Sequence, residues 1–328
     1  MGVVVPMGEG AERLVELSLR VPQDRPFTVS EARSVEIRAE DLRELVRRGL
    51  LRHPIRGVYS VAGLADTLRH RIAVLALVVP DDCVVTDRTA AWLWGAESAL
   101  APNDHATVPQ VSVFAPPGRR LRNGLTRSGE RMLADRDVAE VENLLVTTPL
   151  RTACDVARLL PRDHALAALD GLCAVGGIEV GHLGWELDRF KGYRGIVQAR
   201  ALAPIADPKA ASFGESVLRL RWLDAGLPRP ECQVEVPAPN GSCFLLDMGL
   251  PEERFGAEYD GEAFHGPDRE EHDAARRRWI RDHEHWRIVV ARRNNVFGRN
   301  QDIDLVLQRE YRRQRGLRGQ KHADPSLS

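Results

Sequence analysis

Two short apolar runs in the last third of the chain, FLLDMGL at 244–250 and FGAEYDG at 255–261, are each interrupted by carboxylates. Both have the length and composition of β-strands. A carboxylate in a half-buried strand is costly to desolvate unless it is paired, solvated or bound to a cation. Alternation puts Glu258 and Asp260 on one face and Tyr259 on the other, and a turn at Pro251-Glu252-Glu253 can bring Asp247 beside them. Around them the sequence reads as a helix over 212–225 carrying Glu215 and strands over 232–236, 243–249 and 255–260. A helix over 269–285 carrying Arg276, Arg277, Arg278 and Arg281, a strand over 286–291 and a closing helix over 296–311 follow. The expected order is αβββαβα.

Three or four acids converging on one pocket repel each other strongly, and hard oxygen ligands of this kind suit Mg²⁺ or Mn²⁺. Such an ion can polarise a phosphodiester and lower the pKa of an attacking water. The competing reading is structural: Asp247 and Glu258 as ion-pair partners of Arg276 or Arg278. The block Asp247…Glu258-Tyr259-Asp260-Gly261…His265, with Glu215 upstream and 278–286 downstream, resembles the very-short-patch-repair (Vsr)-like branch of the PD-(D/E)XK endonucleases. The resemblance implies a restriction-endonuclease-like fold, with Asp247 and Glu258 as metal ligands. It further implies that Glu215 orients a water or an arginine, and that His265 contacts phosphate or assists proton transfer. Arg276 and Arg278 are then candidate DNA contacts. One departure stands out: Asp260 occupies the position of that superfamily's usual lysine, and no lysine lies between Lys209 and Lys321. Either His265 or an arginine substitutes, or the domain binds DNA without cutting it.

The N-terminus carries a second pattern. A helix over 11–20 is followed by Thr28 or Ser30 as cap of a short helix through Val35, then a helix over 39–48 stopped by Gly49. Residues 50–61 alternate around Arg56-Gly57 as a hairpin. Helix, turn, helix, hairpin is the order of a winged helix-turn-helix, and residues 33–56 hold seven arginines against four acids. Arg43, Arg47 and Arg48 are therefore candidates for the groove of duplex DNA and Arg56 for phosphate. A solvated charged helix face is the plainer alternative.

Between these ends lies a mixed α/β region with no catalytic constellation, where Trp92 and Trp94 read as core and Thr148 as the cap before Pro149. Leu42-Arg43-Glu44-Leu45-Val46-Arg47-Arg48-Gly49, Arg56-Gly57-Val58-Tyr59, Ala90-Ala91-Trp92-Leu93 and Thr148-Pro149-Leu150-Arg151-Thr152 resemble the AbiEi antitoxin family of type IV toxin–antitoxin systems. That resemblance implies sequence-specific DNA binding, often as an autorepressor, with a possible cognate toxin as partner; it does not imply catalysis.

The expected class is thus a multidomain α+β and α/β chain. Its parts are a winged helix over 1–64, an AbiEi-like region over 65–206, a PD-(D/E)XK-like domain over 207–311 and a loose basic tail over 312–328. Five scattered cysteines without a C-x-x-C pair argue against a zinc ribbon or disulfide scaffold. No apolar run is long enough for a membrane span, and the first residues lack the features of a secretory signal, which points to the cytoplasm. Homodimer formation is left open. Two functional readings result: a Mg²⁺- or Mn²⁺-dependent DNA endonuclease targeted by its winged helix, or a non-catalytic repressor or antitoxin with a nuclease-like domain.

Overall fold

A computed structural model describes residues 9–99, 111–115, 125–261, 267–299 and 301–323. The described residues are mixed α/β with three sheets, and the chain divides into two compact units. The first comprises Met1–Ala96 and Leu100–Val156, the second Glu97–Ala99 and Ala157–Ser328.

The first unit opens with α1 (Glu9–Leu19), β1 (Phe27–Thr28), α2 (Val29–Ser34), α3 (Ala39–Arg47), β2 (Leu51–Ile55) and β3 (Val58–Val61). Thr28 caps α2 reciprocally with Glu31: its hydroxyl accepts the Glu31 N–H while the Glu31 carboxylate accepts the Thr28 N–H at 2.8 Å. At the far end of α3, Gly49 adopts φ +71° and ends the helix where an L side chain would be strained. Pro54, which cannot donate to a ladder, sits on β2 at the edge of the β1-β3-β2 sheet, beside a register shift. Leu17, Phe27, Ile37, Leu42, Leu45, Leu51 and Tyr59 form the core beneath.

The rest of this unit adds α4 (Leu68–Ala76), β4 (Val84–Val85), α5 (Asp87–Leu93), β5 (Val111–Ala115), β6 (Thr126–Glu130), β7 (Val138–Val141), β8 (Leu144–Thr147) and α6 (Pro149–Leu159). Its strands run in the order β6-β5-β4-β8-β7. Trp92 is buried and the Trp94 indole donates to the Thr147 carbonyl at 2.8 Å, so both serve packing. A buried ion network ties the layer together. Asp155 accepts from Arg151 at 2.8 Å and from Arg131 at 2.9 Å, Asp137 accepts from Arg151 at 2.6 Å, and Arg131 reaches Asp87 at 2.8 Å. The Arg131 guanidinium also lies 3.9 Å over the Phe114 ring.

The second unit contains α7 (Arg162–Gly176), α8 (Val180–Glu186), α9 (Ile196–Leu202) and α10 (Phe213–Asp224). Then come β9 (Glu231–Pro237), β10 (Cys243–Leu250), β11 (Phe255–Asp260), α11 (Pro267–His283), β12 (Arg287–Arg292), α12 (Arg293–Val296) and α13 (Ile303–Ala323). From α10 onward the order is the one expected, with the short α12 added. The sheet is β12-β11-β10-β9, antiparallel except for the β11–β12 pair, which α11 connects. Val234, Val236, Leu246, Ile280 and Trp286 pack as its core. Asp170 on α7 and Arg219 on α10 meet at 2.5 Å with almost no exposure, and the Asp207 N–H donates to the other Asp170 oxygen at 2.9 Å. Burial outweighs the guanidinium and pushes the Asp170 carboxyl up to about 6. The stretch from residue 312, expected as a loose tail, continues α13 as helix to Ala323. The closing helix begins at Ile303 rather than at residue 296, where α12 and a break intervene.

Candidate functional site

Two charged regions stand out, one in each unit. In the first unit, α3 buries Leu42 and Leu45, and its amphipathic spacing leaves Arg43, Arg47 and Arg48 exposed. Glu44 sits among them and accepts from both Arg47 and Arg48. Beyond the Arg56-Gly57 turn, the His53 ring stacks on Tyr59, with centroids 4.1 Å apart. The Gly57 N–H donates to His53 Nε2 at 3.3 Å. Burial holds the imidazole pKa below its usual value, which keeps the acceptor nitrogen unprotonated. The hairpin tip is therefore shaped by its own side chains, with Arg56 exposed.

In the second unit, β10 and β11 pair antiparallel at Met248↔Ala257 and Gly249↔Gly256. The next step of that ladder sets Asp247 opposite Glu258, on one face, as the alternation required. With Tyr259, Asp260, Gly261, Asp273, Arg276 and Arg277 these two acids line an open recess of about 140 Å³, room for several waters. The Tyr259 N–H donates to Asp247 Oδ2 at 2.7 Å. Burial, then the charge of Glu215, pushes the Asp247 carboxyl up to about 7, with Glu258 adding to the rise. Glu215, whose N–H is capped by Ser212, accepts from the Ala211 N–H at 3.0 Å and from the Gln233 amide at 3.1 Å.

Glu258 is almost fully buried, and both its oxygens face guanidinium groups: Arg276 at 2.6 Å and Arg277 at 3.4 Å. Arg278 is exposed on the same helix. His265 lies outside the described residues. Among the described residues, no group of three His, Cys, Asp or Glu side chains is placed to hold a metal ion. The carboxylates of Asp247 and Glu258 have the right chemistry for a hard dication, but Glu258 is engaged by two cations of the protein itself. As arranged, the residues do not fit a metal ion without displacement of those arginines.

Asp273 and Gln233 are not among the sequence-derived candidates, and the sequence places Arg277 on its helix without a role at the recess. Asp273 and Arg277 join Arg276 on one face of α11 at i, i+3 and i+4, a spacing visible in the sequence. Gln233 faces Asp247 across the β9–β10 ladder, where a φ of +54° interrupts the pairing and its side chain reaches Glu215. No local signal marks such a residue.

Residues 83–205 match the model of the AbiEi antitoxin C-terminal domain. Two uncharacterised proteins of Mycobacterium tuberculosis, from strains CDC 1551 / Oshkosh and ATCC 25618 / H37Rv, are each 35% identical over 217 residues. The aligned part covers 64% of this chain and 74% of each relative. The chain belongs to the family of these two mycobacterial proteins. Within this family member, the AbiEi-type match contributes to both compact units, since it begins in the first and ends in the second. The carboxylate recess lies C-terminal to it. Among the described residues no single helix is long and apolar enough to cross a membrane.

Proposed function

We propose that this protein is a double-stranded DNA-binding repressor of the AbiEi antitoxin type, whose C-terminal unit has a nuclease-like arrangement without acting as a nuclease. The order α1-β1-α2-α3-β2-β3 with an exposed arginine face carries the reading, and it is read as a winged helix-turn-helix. Helix α3 presents Arg43, Arg47 and Arg48 to the major groove, and Arg56 at the hairpin tip meets phosphate. The AbiEi-type match over 83–205 supports the same assignment, and with it a toxin as the genetic or physical counterpart. The internal pairing of Glu258 with Arg276 and Arg277 supports a C-terminal unit held together without a catalytic ion.

The deciding experiment is duplex binding at moderate salt by the parent and by a variant with Arg43, Arg47, Arg48 and Arg56 all changed to alanine. Removing an arginine that neutralises a phosphate lowers the salt slope by about one unit. A base-reading arginine contributes about 1–3 kcal/mol, and removing it relaxes specificity. Equal binding by parent and variant rejects the assignment.

A second reading, a Mg²⁺- or Mn²⁺-dependent endonuclease, is favoured by one observation: Glu215 and Glu258 both press on the half-buried Asp247 carboxyl, a repulsion a dication would relieve. In that reading Asp260 and His265 complete the site. Calorimetric titration with Mn²⁺, and plasmid nicking with and without chelator, separate the two. Folded, DNA-binding protein that takes up no Mn²⁺ and nicks nothing removes the enzyme.

A further inference from the structure

We propose that Glu44 is a selectivity residue of the DNA-binding helix, holding Arg47 and Arg48 away from non-specific phosphate so that a matched sequence is needed to release them. This rests on the DNA-binding reading above.

The geometry is that of a clamp. The Arg47 guanidinium grips Glu44 in a two-point fork, Nε to one carboxylate oxygen at 2.7 Å and Nη2 to the other at 2.6 Å. Arg48 adds its Nε to the second of those oxygens at 2.9 Å. Two of the three arginines on the proposed reading face thus converge on one carboxylate, which they hold below the usual carboxylate pKa range, Arg47 most strongly. Arg43, one turn earlier, pairs with no carboxylate among the described residues, and its charge is felt at Tyr59 of the hairpin. Helix α3 therefore offers one uncommitted cation and two committed ones.

Exposure decides how firm the clamp is. Arg47 and Arg48 keep 68% and 57% of their side-chain surface in water, against 29% for Glu44. Exposed ion pairs on a helix surface are weak and are screened by salt. A phosphate, which also accepts a charge-assisted fork from arginine, can displace the carboxylate. Displacement leaves Glu44 without its partners beside a polyanion, an unfavourable place for a negative charge. The compensation available in a groove is a base amino group: a carboxylate is acceptor-only, and the cytosine N4 amine is its matching donor at a major-groove edge. A duplex offering that donor satisfies Glu44 and frees both arginines; a random duplex frees the arginines only at the expense of the carboxylate.

A purely helix-stabilising role makes a different forecast, because Glu preceding Arg by three or four residues is a favourable helix pair whatever the protein binds. The test uses the full-length chain, a random-sequence 30-base-pair duplex, and the best duplex the parent selects from a randomised pool. Glu44→Gln keeps the size of the side chain and removes its charge. Its expected effect is a rise in random-duplex affinity of about 5- to 10-fold at 0.1 M salt, with the salt slope steeper by about one unit. Affinity for the selected duplex does not rise, so the ratio of selected to random falls by at least that factor. In a chain already carrying Arg47→Gln and Arg48→Gln, Glu44→Gln raises random-duplex affinity by less than it does in the parent chain, since no arginine is left to release and only the carboxylate's own repulsion from phosphate is removed. A selected-to-random ratio unchanged by Glu44→Gln, in protein with parent-like circular dichroism, overturns the proposal and leaves the DNA-binding reading standing. A parent that binds no duplex overturns both.

Discussion

Replacing Asp247 by asparagine should make the second unit more stable at alkaline pH and leave it unchanged in acid. An aspartate in an unfolded chain ionises near 3.8, whereas the folded Asp247 carboxyl is pushed up to about 7. Between those values the native state holds a proton that the unfolded state gives up. Stability therefore falls as pH rises from about 4, and the loss is complete above about 7. A rise of about 3 pK units corresponds to about 4 kcal/mol. The recess is open to water, which screens part of that, so about 2–4 kcal/mol is expected. Asp247→Asn keeps an oxygen for the Tyr259 N–H and cannot ionise, so it removes the penalty. Calorimetric melting in the presence of chelator should show the variant above the parent at pH 8 by about 4–16 °C, taking about 2–4 °C per kcal/mol for a unit of this size. At pH 4 the two should coincide. A variant no more stable than the parent at pH 8, or equally stabilised at both pH values, refutes the reasoning that burial and neighbouring carboxylates load this position.

Removing the shared acceptor of the first unit's ion network, Asp155→Ala, should cost about 1.5–3 kcal/mol in urea unfolding, because Arg131 and Arg151 lose their common partner while Arg131 keeps Asp87 and Arg151 keeps Asp137. Gly214→Ala should lower the melting temperature, since a Cβ there would lie 2.1 Å from the Tyr259 ring; about 1–3 kcal/mol is typical of overpacking, and Tyr259→Ala in the same chain should recover part of it. Gly195→Ala should be worse, as its Cβ would fall 1.9 Å from the Arg158 carbonyl oxygen at a φ of +79°, and soluble yield at 37 °C should drop sharply.

Much of the scaffold was legible because local rules and tertiary demands agree. Thr28 or Ser30 marks a helix start, with Thr28 the cap the fold uses; Gly49 marks a helix stop, and the paired apolar runs around 251–253 a hairpin whose register sets Asp247 against Glu258. The fate of Glu258 was harder to read. The sequence allows its negative charge to face either a cation from solution or arginines from the next helix. The choice of Arg276 and Arg277, with Arg278 turned outward, depends on how α11 lies against the sheet. Gln233 was illegible for another reason: its positive φ interrupts the pairing of the edge strand β9 with β10 and has no signature in its neighbours. Residues 312–323 read as a loose tail because of their charge, yet Gln314, buried and donating to the Glu253 carbonyl at 3.1 Å, anchors that turn of the helix.

The Asp170–Arg219 pair bears on how such a chain can have been assembled from parts. The stretch resembling antitoxins ends at residue 205, and Asp170 lies inside it while Arg219 lies beyond it. A recombination event that cut at that border would hand the incoming core an arginine with no carboxylate, and leave the departing helices an aspartate with no counter-charge. Either orphan is strongly destabilising in a dry interior. Descent should therefore transmit α7 together with α10, so that chimaeras between relatives tolerate a crossover near residue 157 better than one near residue 206.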